Sequence, residues 1–113
     1  MNFNTIWGYK VKREKILELA RKYKLNTNMS YLLSVERFIQ RSGFPVDGFK
    51  LIRQEDMNEA DRGYFVLALH NSTKKKEEVN TQEILGRFHP RFFKLLKEDL
   101  DAEGDPQFYL AEP

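Results

Sequence analysis

The side chains in this sequence with the types needed for chemistry are two histidines and a group of carboxylates. His70 ends an apolar stretch, and His89 precedes Pro90. A polar segment, residues 55–62, carries four carboxylates: Glu55, Asp56, Glu59 and Asp61. A histidine within hydrogen-bond reach of a carboxylate is a common acid–base pair in enzymes. His70 with one of these loop carboxylates is therefore the catalytic arrangement to consider.

Two interpretations of His70 follow. In the first, His70 and a carboxylate of residues 55–62 act together in a small enzyme. In the second, His70 is a partly exposed residue at the end of a strand, and the carboxylates belong to a solvated loop. Nothing in the sequence brings the histidine and the loop together, so the second interpretation is favoured and no catalytic residue is assigned.

Metal and cofactor chemistry has little support. Metal sites usually need three or four ligands, and two distant histidines among scattered carboxylates show no ligand spacing. The acidic segment 56–61 lacks the sixth-position glycine and the terminal glutamate of a calcium-binding loop. The six glycines are dispersed along the chain, so a glycine-rich phosphate loop is excluded. We expect neither a metal nor a cofactor.

Charge is distributed unevenly along the chain. Residues 1–53 contain eleven Lys or Arg against four Asp or Glu, whereas residues 54–113 contain eight against thirteen. A basic half attracts anionic partners. With the basic N-terminal helix and the Lys74–Lys76 patch, this makes nucleic-acid binding the alternative function. The favoured interpretation is that the two halves compensate each other, because the basic residues of an amphipathic helix usually form its solvated face.

The overall composition is that of one globular domain, residues 1–113. The hydrophobic share of 41% and the charged share of 32% argue against wholesale disorder. The chain has no cysteine, so disulfides are excluded. The first thirty residues lack the apolar core of a signal peptide, and no apolar segment approaches the roughly 20 residues of a membrane span. We expect a cytoplasmic or nuclear protein.

The element expected at the centre of the fold is residues 63–70. This is the longest unbroken apolar run, and it is rich in aromatic and β-branched residues. A run of this length between turn residues is typical of a strand buried on both faces. Residues 49–54 alternate as a second strand, which we expect to pair with the first across the polar loop 55–62.

The N-terminal half is predicted to contain an extended segment and two helices. Residues 1–9 alternate aromatic and β-branched side chains, and Trp7 is expected to pack in the core as an anchor. Residues 11–24 and 31–42 carry apolar side chains at helical spacing. Glu18 and Lys22 are placed to pair at i, i+4 in the first helix. Ser30 is the expected N-cap of the second helix, which Gly43 and Pro45 end.

The C-terminal half is predicted to contain two short helices and a terminal strand. Asn80 and Glu83 have capping-box spacing. Because Pro90 cannot continue a helix, a second helix that begins at Pro90 is preferred to one kinked helix. Residues 107–110 are a candidate edge strand or docked tail. The sequence therefore predicts an α+β fold: a small, mostly antiparallel sheet of two to four strands, packed by two N-terminal helices and one or two C-terminal helices.

The acidic end of the last helix needs a partner. Its final residues include Glu98, Asp99 and Asp101, and the helix dipole disfavours negative charge at a carboxyl end. Basic side chains nearby would offset this cost, and the first helix carries them. We therefore expect the first and last helices to lie close together.

The function that these features favour is a non-enzymatic protein-interaction or regulatory module that self-associates as a homodimer. A small sheet leaves unpaired edges, which either need protection or accept a partner, and two-fold dimers are the commonest oligomers. The predicted contact residues come from the C-terminal aromatic helix and tail and from the basic helix: Phe92, Phe108, Tyr109, Lys12, Arg13 and Arg21.

Overall fold

The structure, a computed structural model, describes residues 3–53, 57–59 and 62–111. Within these residues the chain forms four strands and four α-helices: β1 (Asn4–Lys12), α1 (Arg13–Lys22), α2 (Tyr31–Arg41), β2 (Gly48–Lys50), β3 (Tyr64–Ser72), α3 (Thr81–Gly86), α4 (Pro90–Glu98) and β4 (Glu103–Ala111). The strands form one antiparallel sheet in the order β2-β3-β1-β4. The predicted α+β fold is confirmed.

The strand β3 is an inner strand buried on both faces, as the sequence predicts. Leu67 and Ala68 are both completely buried. Successive side chains of a strand point to opposite faces of the sheet. Leu67 accordingly packs in the large cluster that includes the helices, whereas Ala68 packs in a smaller cluster on the other face.

The N-terminal segment forms the second inner strand. β1 pairs with β3 on one side and with β4 on the other, and Trp7 is 5% exposed in the helix-side core, which confirms its role as an anchor. β1 extends to Lys12, although the helical pattern predicts a helix from residue 11. Val11 gives the reason: it is β-branched, completely buried and paired with Phe65, so strand pairing outweighs the local pattern.

The face of the sheet that carries the smaller hydrophobic cluster is covered by residues 51–53, which we call the strap. β2 lies at one edge of the sheet and β4 at the other, yet the Arg53 amide donates to the Leu110 carbonyl in β4 at 2.8 Å. The strap therefore crosses the face, and Ile52 packs on Ala68 and its neighbours. The predicted strand 49–54 is thus shorter than expected, because its chain leaves the sheet after Lys50.

The C-terminal helices begin where the sequence predicts. The Asn80 side chain accepts a hydrogen bond from the Glu83 amide at 3.1 Å, as a capping residue does. Pro90 occupies the first turn of α4, so two helices form in place of one kinked helix. The terminal segment is longer than expected: β4 starts at Glu103 and pairs with β1 as an edge strand.

The expected contact between the first and last helices is present. The Lys22 ammonium lies 2.6 Å from the Asp99 carboxylate, which also accepts from the Tyr23 hydroxyl at 3.1 Å. The hydrogen bond that Lys22 donates to Asp99 raises the pKa of Lys22. Lys22 thus reaches across the fold, while Glu18, its predicted partner, lies 3.3 Å from Lys15. The charge of the basic half is partly neutralised by the acidic half.

A β-bulge distorts the pairing of the two inner strands. Trp7 pairs with His70 and Gly8 with Ala68, which leaves Leu69 as the extra residue. At this point the backbones approach so closely that a Cβ at Gly8 would overlap the Leu67 carbonyl group. Only glycine fits there. His70, the residue after the bulge, lies beside Glu83 and Ile84 of α3.

Both edges of the sheet are protected against further strand pairing. β2 has three residues, and the Phe49 amide donates to the Glu36 carboxylate of α2 at 3.0 Å. In β4, the strap occupies the Leu110 carbonyl, and Pro106 has no amide proton to offer. Unpaired sheet edges either need protection or accept a partner. In this fold, both edges have protecting features.

No helix among the described residues has the length and the apolar character needed to cross a bilayer.

Candidate functional site

The candidate site is a groove lined mainly by β4, which we call the β4 groove. It has a volume of about 480 Å³, which lies within the range of binding pockets, roughly 300–1,000 Å³. Its lining residues come from two strands, β1 and β4, from the strap and from the segment after β3: Thr5, Ile52, Lys75, Lys76, Phe108, Tyr109 and Leu110.

The pairing of β4 with β1 positions the apolar wall of the groove. Phe108 pairs with Trp7 in the register, and their ring centroids lie 6.2 Å apart. Tyr109 pairs with Ile6 and packs on the smaller cluster. Phe108 and Tyr109 are half-buried, and Leu110 is 37% exposed. The wall therefore combines rings held by the core with one exposed aliphatic side chain.

The charged rim of the groove comes from the segment that follows β3. Lys75 and Lys76 stand at the start of a short 3₁₀ turn, Lys76–Glu78, and both are exposed. Among the described residues that line the groove, these two lysines are the charged ones. The groove is therefore apolar at its base and positive at its rim.

A second apolar groove lies beside β2. It has a volume of about 550 Å³ and is lined by Leu32, Phe49, Lys50, Leu51, Ile52, Met57, Phe65 and Ala111. Ile52 lines both grooves, since the strap separates them. This groove also has two aromatic residues, Phe49 and Phe65, but it has a single lysine where the first groove has two.

His70 lies in a small polar cavity of about 200 Å³ together with Lys74 and Arg87. Burial lowers the pKa of His70 below its usual 6.5, and the charges of Lys74 and Arg87 lower it further, while Asp47 acts in the opposite direction. The imidazole is therefore neutral at pH 7.

The hydrogen-bond partner of His70 is a serine. Its Nε2 lies 2.8 Å from the Ser72 hydroxyl, which also accepts from the Lys74 amide at 3.2 Å. A nucleophilic serine needs backbone donors free to stabilise the charge that develops on its substrate. The Lys74 amide is already occupied by Ser72 itself. The contacts of Ser72 with His70 and with the Lys74 amide therefore order the end of β3.

The carboxylates considered as partners of His70 lie in the loop before β3. Glu55, Asp56 and Asp61 fall outside the described residues, and so does half of the acidic segment 56–61. Glu59 is described and exposed. Among the described residues, no group of three or more histidines and carboxylates is close enough to hold a metal ion.

Phe92 requires a correction to the predicted contact set. Its side chain is completely buried, and its ring lies 5.3 Å from that of Phe44 and 4.5 Å from that of Phe88. A side chain with no exposed surface cannot contact a partner while the domain is folded. The reason is that α4 places Phe92 on its inner face, one helical turn from the buried Leu96.

The other predicted contact residues fall into two groups. Phe108 and Tyr109 come together in the β4 groove. The second group lies at the two ends of α1 and is exposed: Lys12, Arg13 and Arg21. The Arg13 guanidinium lies 6.0 Å from the centre of the Tyr31 ring. The lining of the β4 groove does not include these three cations, so the structure separates the aromatic contacts from the basic helix.

Three residues of the groove were not predicted: Thr5, Ile52 and Leu110. Leu110 adjoins the aromatic pair in the sequence, and its place in an alternating edge strand could have indicated an exposed face. Ile52 reaches the groove only because the strap crosses the sheet, which no local pattern reveals.

Comparison with protein-family models, with curated proteins and with solved structures gives no match for this chain.

Proposed function

We propose that this protein is a non-enzymatic protein-interaction module and that the β4 groove is its contact surface. The observation that carries the proposal is the combination of a half-buried aromatic wall, an exposed leucine and a lysine rim in one groove. Interfaces are rich in aromatic residues held by a rigid scaffold. Here the sheet supplies that scaffold, because β4 pairs with the inner strand β1 along most of its length.

The exposed leucines allow a matched test. Leu110→Arg would fill the groove with a charged side chain, whereas Leu33→Arg makes the same change at a comparably exposed leucine of α2, which is 45% exposed. We expect partner proteins retained by the wild type to be lost from Leu110→Arg and kept by Leu33→Arg. Equal retention by both variants would refute the groove as the contact surface.

The single tryptophan reports on the same surface. Trp7 is buried behind Phe108, so a ligand that moves the Phe108 ring should change tryptophan emission. We expect the change to saturate with partner concentration in the wild type and to be absent in Leu110→Arg. Circular dichroism of each variant would confirm that the fold is intact.

The predicted homodimer is a separate proposal with its own test. Sedimentation of the wild type at micromolar concentration should show a dimer, and a clean monomer would refute self-association. The intracellular location likewise stays a prediction, which fractionation of cells that express the chain would check.

Nucleic-acid binding is the second candidate, supported by the exposed lysines beside two aromatic rings. Phosphate contacts make affinity fall steeply with salt. We expect weak or no binding to a mixed single-stranded pool at about 50 mM salt. Tight, salt-sensitive binding that Lys75→Glu/Lys76→Glu abolishes would favour this candidate over a protein partner.

A further inference from the structure

We propose that the β4 groove binds an acidic linear segment of a partner protein, and that it does so through side chains and not by adding a strand to the sheet. This inference rests on the proposed function and adds to it the chemistry and the mode of recognition. Three features carry it: the protected edge of β4, the shape of the groove and the sign of its rim.

The edge of β4 is closed to a pairing strand. In an antiparallel strand, alternate residues direct both their amide and their carbonyl to the same side. The Leu110 carbonyl faces outward, since it accepts from the Arg53 amide of the strap. Two residues earlier, Phe108 faces outward as well, and beyond it Pro106 has no amide proton. Between Pro106 and Leu110, Phe108 is thus the one residue with both an outward amide and an outward carbonyl to offer. That is too little for an added strand, because strand addition depends on a row of backbone hydrogen bonds.

The groove instead accepts side chains. Its volume of about 480 Å³ admits more than one large side chain, and its base is formed by apolar groups of Ile52, Phe108 and Leu110. A ligand with an aromatic or aliphatic residue can bury that residue there and leave its backbone in solvent. Linear segments that bind in this way need no regular secondary structure of their own.

The rim selects the charge of the ligand. Lys75 and Lys76 are exposed at the groove. The same turn carries two carboxylates: Glu77 is exposed and does not line the groove, and Glu78 lines the neighbouring polar cavity. Asp or Glu beside the anchor residue would meet these ammonium groups. A second copy of this chain bound to the same groove through a two-fold axis would bring the lysines of both copies together. An acidic segment of another protein is therefore the occupant that fits.

The experiment is a selection of phage-displayed random peptides on the full chain, followed by affinity measurements on the enriched peptides. We expect enriched peptides to carry Asp or Glu next to Phe, Tyr, Trp, Leu or Ile. The double variant Lys75→Glu/Lys76→Glu should weaken their binding by about tenfold, because two exposed attractions become repulsions. Lys94→Glu/Lys97→Glu, which makes the same charge change on α4, should leave binding unchanged.

The outcomes separate the two proposals. Enriched peptides that are neutral or basic but still require Leu110 would refute the acidic partner and leave the proposed function standing. Peptides that bind Leu110→Arg as well as wild type would refute both, whereas no enrichment at all would refute the linear segment and leave the proposed function standing. A scan of N-methylated peptide amides tests the mode: loss of binding at every second residue would reveal strand addition and overturn side-chain docking.

Discussion

A substitution of Glu36 tests directly whether this residue protects the β2 edge of the sheet. Its carboxylate accepts from the Phe49 amide at 3.0 Å, at the outer side of the edge strand β2. Both residues are half-buried. Glu36→Ala removes the acceptor and leaves the amide without a partner in a position that solvent reaches only in part.

The magnitude follows from the kind of hydrogen bond that is lost. Hydrogen bonds to charged groups contribute about 1.5–3 kcal/mol, and an orphaned buried donor costs a similar amount. Alanine is the better helix former by a few tenths of a kcal/mol, which offsets part of the loss in α2. We therefore expect the free energy of unfolding to fall by about 1–2 kcal/mol, and Glu36→Gln, which keeps a neutral acceptor, to cost roughly half as much.

Urea unfolding followed by circular dichroism would measure this change. The midpoint should fall while the slope stays constant, because the surface exposed on unfolding is unaltered. Glu18→Ala is the control, since Glu18 makes only an exposed ion pair with Lys15 and should change stability by less than about 1 kcal/mol. If Glu36→Ala is as stable as wild type, the Phe49 amide does not depend on Glu36 and the account of edge protection is refuted.

Three further outcomes follow from the packing and from His70. Gly8→Ala should destabilise the domain by roughly 3 kcal/mol, because the added methyl overlaps the backbone of β3; thermal unfolding close to that of wild type would contradict the bulge geometry. Phe92→Ala should cost about 3–5 kcal/mol as a core truncation, and a fully stable variant with altered partner binding would return Phe92 to the surface. Because the folded pKa of His70 lies below its unfolded value of 6.5, unfolding takes up protons, and wild type should lose stability as the pH falls below about 6.5. His70→Gln should show a shallower loss over the same interval, and identical pH profiles would refute the depressed pKa.

Part of the candidate site was accessible from the sequence. The aromatic pair Phe108 and Tyr109 was predicted as a contact surface, and both residues line the β4 groove. Phe92 was assigned to the same surface because an apolar helix pattern gives the width of the buried stripe but not its orientation in the fold. Phe92 and Phe108 are the same residue type in similar apolar contexts, and only the packing of α4 against Phe44 distinguishes them.

The sequence by itself determined the features that depend on near neighbours: the cap at Asn80, the helix that begins at Pro90, the burial of β3 on both faces and the α+β class. These features follow from backbone geometry and side-chain period over a few residues. The tertiary structure decided the strap, the bulge at Leu69, the protection of both sheet edges and the joining of Lys75 and Lys76 to the C-terminal aromatic wall. Each of these brings together groups distant in the chain, and the closure of long loops onto a shared core is a property of the whole fold that no local pattern encodes.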